Sequence, residues 1–163
     1  MLYYSTISSP IGKLCIVKSN KGIKNILFST YYPFEKYLRN NFPNQEIEKN
    51  NFELKKASNQ INEYFALSRK KFSLDLDIHL PSFYRKALIN VAEIPFGKTY
   101  SYKSIAMKTG NPNASRAVGN ANANNPLPII IPCHRVIGND GSIGGYGGGV
   151  KTKRFLLELE GAL

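Results

Sequence analysis

The sequence predicts an α/β (α+β) fold. A small N-terminal three-stranded antiparallel sheet with a helix is packed on a mostly helical C-terminal half that contains a helix-turn-helix. Three observations predict it. The first thirty residues alternate short β-branched and aromatic runs with turn residues. Apolar residues then recur at helical spacing. The second half holds two short helical segments joined by a glycine-containing turn.

Leu2 to Ile7 is rich in Tyr, Thr and Ile, and Ser9-Pro10-Ile11-Gly12 is turn chemistry. Lys13 to Lys18 forms a second strand, Ser19-Asn20-Lys21-Gly22 turns again, and Ile23 to Phe28 forms the third. A polar loop containing Pro33 and Pro43 follows. Leu54, Ala57, Ile61, Tyr64 and Phe65 predict a helix over roughly 50–67. Residues 68–81, with Arg69, Lys70 and Lys71 in a row, read as a strand and linker ending at Pro81. The domain boundary is placed there, giving domains 1–80 and 81–163.

Ser82 to Ile94 carries Phe83, Ala87, Leu88 and Val91 on one stripe, with Ser82 as N-cap after Pro81. Pro95-Phe96-Gly97-Lys98 ends that helix. Ser101 caps a short helix through Lys108, Gly110-Asn111-Pro112 turns the chain, and Asn113 starts a helix to about Asn124. In this second helix Ala114, Ala117, Gly119, Ala121 and Ala123 leave little side-chain bulk. Small residues suit close helix packing, and equally suit approach to a DNA minor groove. Gly141 to Gly149 contains six glycines and one large side chain, Tyr146, with no phosphate-binding P-loop pattern. A helix from about Lys151 to Glu160 closes the chain, with Phe155, Leu156 and Leu159 as its buried face.

The chain has 163 residues, 42% of them apolar, enough for a core. No apolar run, Ile129-Ile130-Ile131 and Leu14-Cys15-Ile16-Val17 included, comes near the ~20 residues that cross a bilayer. The N-terminus lacks the basic start and apolar stretch of a secretory signal. Two cysteines, Cys15 and Cys133, make no disulfide framework and point to a reducing compartment. Twenty-two basic against 11 acidic side chains give +11, spread along the chain. Such a surface attracts polyanions, nucleic acid first among them. Solubility, or a genome whose codons favour Lys and Asn, explains the same charge.

The informative segment is Asn125-Pro-Leu-Pro-Ile-Ile-Ile-Pro-Cys-His-Arg-Val-Ile. It places Cys133 at the end of a buried strand, where a thiol also serves as a small hydrophobe. His134 and Arg135, which need solvent or partners, argue for a reactive site. A nucleophilic thiol must ionise, which needs a base, a nearby cation or helix-terminus amides. On an extended segment His134 points away from Cys133, so a water would bridge them. A carboxylate must hold the imidazole, and Glu160 is the candidate.

That segment resembles the active-site signature of the O6-alkylguanine-DNA alkyltransferases. The likeness runs from Pro81 to the C-terminus through IPFGKTYSYKSIA, GNPNASRAVGNANANNP, IIIPCHRVI, GGYGGG and KRFLLELEG, in the family's order and spacing. Residues 1–80 match more weakly.

The resemblance implies a ribonuclease H-like N-terminal domain and a C-terminal DNA-binding, alkyl-acceptor domain. It implies a self-inactivating methylated-DNA–protein-cysteine methyltransferase, which moves the alkyl group of O6-alkylguanine irreversibly to its own cysteine after flipping the nucleotide. O4-alkylthymine would be a further substrate. Cys133 would be the nucleophile and alkyl acceptor, His134 the water-mediated base, Glu160 its orienter and Tyr102 the proton donor to guanine. Arg116 would be the finger entering the base stack, with Ser101, Ala117, Gly119 and Ala121 on the DNA-facing side in the minor groove. Asn125 would tie the recognition helix to the active-site strand. Asn125, Val136, Tyr146, Gly147 and Gly148 would form the guanine pocket. No position that carries the chemistry departs from the family pattern.

No cofactor is expected. No metal is expected either, since only Cys15 and His79 remain outside the site and two ligands do not complete a structural zinc centre. The expected partners are double-stranded DNA and free O6-alkylguanines such as O6-benzylguanine, with no membrane. The expected state is a monomer in the cytoplasm with the nucleoid, or in the nucleus of a eukaryote. Two other classes remain open at this point: a non-catalytic binder of alkylated DNA that recruits repair factors, and a thiol hydrolase or redox enzyme. The latter gives the helix-turn-helix no purpose.

Overall fold

A computed structural model of the chain describes residues 1–163. It divides into two units, Met1–Ile78 and His79–Leu163, the division falling just before Pro81. No helix is long and apolar enough to cross a membrane.

In the first unit the two predicted turns fold three strands into an antiparallel meander: β1 (Leu2–Ile7), β2 (Leu14–Lys18) and β3 (Ile23–Leu27). At the first turn the Ser9 hydroxyl donates to the Gly12 carbonyl at 2.6 Å and accepts from the Ile11 amide at 3.2 Å. Gly12 takes φ +100°, which a side chain would strain. At the second turn Gly22 packs so closely on the Asp75 carbonyl that a Cβ would lie 2.5 Å from its oxygen.

The sheet has a fourth strand that the sequence reading omits. β4 (Ile47–Lys49) pairs parallel to β1, with Leu2 opposite Ile47, giving the order β3-β2-β1-β4. Three residues, none fully buried, carry no period of their own. The expected polar loop around Pro33 and Pro43 is instead helix α1 (Phe34–Asn41). Pro33 stands at its N-cap, where a missing N–H is harmless, and Pro43 lies just past its end. Phe34 and Leu38, four apart, bury one stripe against Leu2, Tyr4, Cys15, Val17 and Leu27.

Helix α2 (Lys55–Phe65) is shorter than its predicted 50–67 and buries Ala57, Gln60, Ile61 and Tyr64. The strand expected in 68–81 reduces to a single bridge between Ile23 and Leu76. Gln60 docks that segment with its side-chain amide, accepting from the Ser73 amide at 2.9 Å and donating to the Ser73 hydroxyl at 3.0 Å.

The second unit contains α3 (Ser82–Ala92), β5 (Tyr100–Ser101), α4 (Tyr102–Lys108), α5 (Ser115–Ala123), β6 (Val136–Ile137) and α6 (Val150–Leu159). Pro81, not Ser82, occupies the N-cap of α3, and no side chain caps it. Ser101 does cap α4, accepting from the Ser104 amide at 3.0 Å. Helices α4 and α5, joined at Gly110-Asn111-Pro112, form the helix-turn-helix, and both pack on α3. β5 and β6 pair parallel, with Tyr100 opposite Val136, which brings the start of α4 beside the segment leaving Cys133.

Candidate functional site

Cys133 does not end a strand. The run Leu127 to Ile131 is an irregular loop, and Cys133–Arg135 forms one 3-10 turn leading into β6. Ile129 sits at φ +75°, an uncommon place for a β-branched residue. Such strain costs roughly 1–3 kcal/mol and persists only where surrounding bonds over-determine it. Asn125 supplies them: its side chain donates to the Ile131 carbonyl at 2.9 Å and accepts from the Leu127 amide at 3.0 Å. The loop is thus stapled at both ends by one residue at the exit of α5.

The turn sends the neighbouring side chains of Cys133 and His134 to different surroundings. His134 is fully buried, with Nε2 2.7 Å from Glu160 Oε1 at the end of α6. Arg135, also buried, donates from Nε and Nη2 to the two Glu160 oxygens at 2.9 and 2.8 Å, and from Nη1 to the Ile94 carbonyl at 2.6 Å. Both side chains therefore find partners inside the protein. Burial alone would raise the Glu160 pKa, but the bonds from His134 and Arg135 prevail and hold it at about 2. Burial pushes the His134 pKa down, so its ring is neutral at pH 7. A neutral ring facing a carboxylate carries its proton on Nε2. Nδ1 is then a lone-pair acceptor, buried and without a protein partner.

The Cys133 thiol is 6% exposed. Burial pushes its pKa up, against a side-chain hydrogen bond from Asn125 and the charge of Lys153, which lower it. The resting group is a thiol, where the sequence reading expects a sulfur poised in ionised form. Cys15 lies in the sheet core, where burial pushes its pKa to about 12.

Lys153 is a candidate site residue that sequence reasoning missed. It is fully buried in α6, and Nζ donates to the Val136 carbonyl at 2.7 Å and the Gly145 carbonyl at 3.3 Å. Burial lowers its pKa to about 8. The buried stripe of α6 is Lys153, Leu156, Leu157 and then Glu160, in place of the expected Phe155, Leu156 and Leu159. These positions have i, i+3, i+4, i+7 spacing. A lysine and a glutamate at the two ends of an apolar stripe were the available signal.

Cys133 opens on a cavity of about 400 Å³ lined by Tyr102, Gly119, Asn122, Ala123, Cys133, Gly145, Tyr146 and Gly147. That volume lies in the range of small-molecule sites. Burial and the nearby sulfur push the Tyr102 phenol up, so it stays protonated and able to donate. Gly144, at φ +77°, leaves room for it, since a Cβ there would meet the phenol oxygen at 2.9 Å. The Tyr146 ring stands edge-on to His134, centroids 6.5 Å apart.

An open groove adjoins the cavity and shares Tyr102 and Gly119 with it, its other lining residues being Ser115, Arg116, Asn120 and Asn139. Arg116 is exposed, and Ala117 and Gly119 are partly so. Ala121 is fully buried with Ala114 and Val118, so its expected place on the DNA-facing side is corrected. A small side chain gives no hydropathy contrast from which to phase a helix. Ser101 is engaged as the α4 cap. Asn125, Val136 and Gly148 are not among the cavity's lining residues: Asn125 is the loop staple, and the buried Val136 holds Lys153. No group of three or more His, Cys, Asp and Glu side chains is placed to hold a metal ion.

The family described as 6-O-methylguanine DNA methyltransferase matches with its ribonuclease-like domain over residues 2–78 and its DNA binding domain over residues 82–162. A methylated-DNA–protein-cysteine methyltransferase of Methanosarcina barkeri is 41% identical over 159 residues, covering 98% of this chain and 97% of that protein. One of Mycobacterium tuberculosis is 41% identical over 162 residues, covering 98% and 93%. The crystal structure of Mycobacterium tuberculosis OGT in complex with DNA superposes with a TM-score of 0.87 at 38% identity, covering 98% of this chain and 93% of that one. On the site's geometry and on similarity along its whole length, the chain belongs to the 6-O-methylguanine DNA methyltransferase family.

Proposed function

We propose that this chain repairs DNA by transferring the alkyl group of O6-alkylguanine to its own Cys133, once per molecule. The reading rests on one observation above the others: Cys133 and the Tyr102 phenol line the same cavity, with a buried imidazole–carboxylate pair behind the cysteine. Nucleophile, base and orienter form the triad logic of covalent catalysis.

The target carbon lies inside the duplex, so the nucleotide must be everted into the cavity. The thiol proton passes through one bridging water to His134 Nδ1, and Glu160 steadies the imidazolium. Lys153 favours the thiolate by its charge. Sulfur attacks the alkyl carbon as the C–O6 bond breaks, and the electron pair leaves on guanine. The departing base takes a proton from Tyr102, and the proton on His134 returns through solvent to the phenolate. The product is a thioether on Cys133 and an unmodified guanine. Nothing reverses a thioether, which makes the protein its own spent reagent.

The second unit carries both DNA binding and alkyl acceptance. Arg116, at the edge of the open groove, fills the space left by the everted base. Ala117 and Gly119 let α5 approach the minor groove, whose degenerate pattern of groups suits repair in any sequence context. Tyr146 and Gly147 cover the base. Free O6-benzylguanine reaches the cavity without a duplex. The protein acts as a monomer beside the genome, in the cytoplasm with the nucleoid or in the nucleus of a eukaryote.

Mixing the protein with a duplex containing O6-methylguanine should add one methyl group to its intact mass, mapping to Cys133. An unmodified Cys133 with the lesion still present would overturn the reading, and tight binding without an adduct would leave a damage-recognition module.

A further inference from the structure

Tyr31 and Tyr32 follow one another in the link between β3 and α1, at the end of a single 3-10 turn (Ser29–Tyr31) and just before Pro33. They are 43% and 66% exposed, which leaves much of two adjacent aromatic rings in water. Both rings are braced from within. Tyr31 packs on the half-buried Tyr37 with centroids 4.7 Å apart, and Tyr32 meets the buried Phe34 edge-on at 5.7 Å. A tyrosine has only two side-chain torsions, so rings held this way lose little entropy when a ligand lies on them.

The charge around the rings says what this surface fits. Lys13, exposed at the entry to β2, holds its ammonium 5.7 Å from the Tyr32 centroid, within cation–π range. The preceding turn lies against the same link, since a Cβ at Gly12 would meet the Ser29 hydroxyl at 3.3 Å. Lys36 is exposed in the first turn of α1. Glu35 is the one carboxylate between Phe28 and Phe42, and Arg39 neutralises it at 2.7 Å. Open rings beside two unmatched lysines suit a polyanion that carries free π-faces.

We propose that Tyr31 and Tyr32, with Lys13 and Lys36, form a binding site for single-stranded nucleic acid in the first unit. The rings stack on unpaired bases, and the two ammonium groups meet the phosphates between them. Stacking tolerates every base, so the site reads no sequence. A duplex keeps its bases stacked on one another and offers the rings nothing. None of the four residues lines the Cys133 cavity or the groove beside it. The site is therefore independent of alkyl transfer, and each stands or fails by its own experiment.

The test cross-links the full-length protein by light to a short oligo-dT strand carrying 5-iodouracil, with adducts mapped by mass spectrometry. Adducts should form on Tyr31 or Tyr32; none at all, or adducts confined to residues 79–163, would overturn the proposal. Tyr31→Ala with Tyr32→Ala should weaken oligo-dT binding by roughly fivefold or more, the low end of base–aromatic stacking. It should leave binding of an equally long abasic strand unchanged, because that strand has the charge and no bases. Tyr31→Phe with Tyr32→Phe should bind oligo-dT as the wild type does, since the ring and not the hydroxyl stacks. Lys13→Ala with Lys36→Ala should weaken both strands and flatten the salt dependence. An alanine variant with wild-type affinity, or one weakened equally on both strands, would overturn the stacking role, as would a phenylalanine variant that loses oligo-dT. Methyl transfer from an O6-methylguanine duplex should keep its wild-type rate in the tyrosine-to-alanine variant, and its loss together with strand binding would overturn a separate site. Self-association that vanishes in that variant, with no cross-link to the strand, would assign the rings to a second copy of the chain instead.

Discussion

Replacing Glu160 by Gln keeps the shape of the side chain and removes one buried charge. Three hydrogen bonds of 2.7 to 2.9 Å from His134 and Arg135 converge on that carboxylate, and its side chain is fully buried. Breaking such a pair leaves the Arg135 guanidinium unpaired in the interior, a loss of roughly 3–5 kcal/mol at pH 7. The wild-type pKa of about 2 compares with an ordinary value of 4.5. At 1.36 kcal/mol per pKa unit, the charged form stabilises the fold by about 3 kcal/mol. The sign follows from the direction of the shift. A carboxyl held low in the folded state stabilises fully above pH 4.5, and that contribution drains away as pH falls toward 2. The stability gap between wild type and Glu160→Gln should therefore be widest at neutral pH and narrow by about 3 kcal/mol through that acid window. Urea unfolding followed by circular dichroism and tyrosine fluorescence measures the gap, since the chain has ten tyrosines and no tryptophan. A gap below about 1 kcal/mol at pH 7, the size of an exposed ion pair, or one that does not change with pH, would show that Glu160 is not a buried, charge-paired carboxylate.

Other expectations are sharper on activity. Lys153→Met removes a buried cation whose charge lowers the Cys133 pKa, so iodoacetamide labelling of Cys133 should require higher pH than in the wild type; an unmoved labelling profile would remove Lys153 from the site. Arg116→Ala should impair repair of duplex O6-methylguanine far more than reaction with free O6-benzylguanine, because only the duplex has a vacated position to fill. Equal losses on both substrates would argue against that role. Gly144→Ala should leave the unfolding midpoint of the chain within a few degrees but slow transfer, since its methyl would press on the Tyr102 phenol at 2.9 Å. A variant as fast as wild type would show that the phenol's position does not matter.

The three meander strands, α3 and the helix-turn-helix were legible because each has a local signature. Ser9-Pro10-Ile11-Gly12 and Ser19-Asn20-Lys21-Gly22 are turns by their own chemistry, and Ser101 caps α4 with its own hydroxyl. Helix α1 was hidden because Pro33 and Pro43 read as loop punctuation, although prolines stand as readily at the ends of a helix as in a loop. β4 exists only through its partner, since Ile47 pairs with Leu2 across more than forty residues.

Read alone, the residues pick out Cys133 as the candidate nucleophile, a cysteine followed by His134 and Arg135 inside a run of family blocks. They also pick out Glu160 as the candidate partner of His134, 26 positions away, and the fold brings the two within 2.7 Å. The surroundings of the sulfur emerge only once the chain is folded. Burial raises the pKa of the thiol against the charge of the buried Lys153, Ala121 faces inward, and the Asn122 amide is buried without a hydrogen-bond partner. The reason is that residue type reports what a group can do, whereas protonation and partnership depend on the distance to groups remote in the chain and on how much water the fold leaves between them.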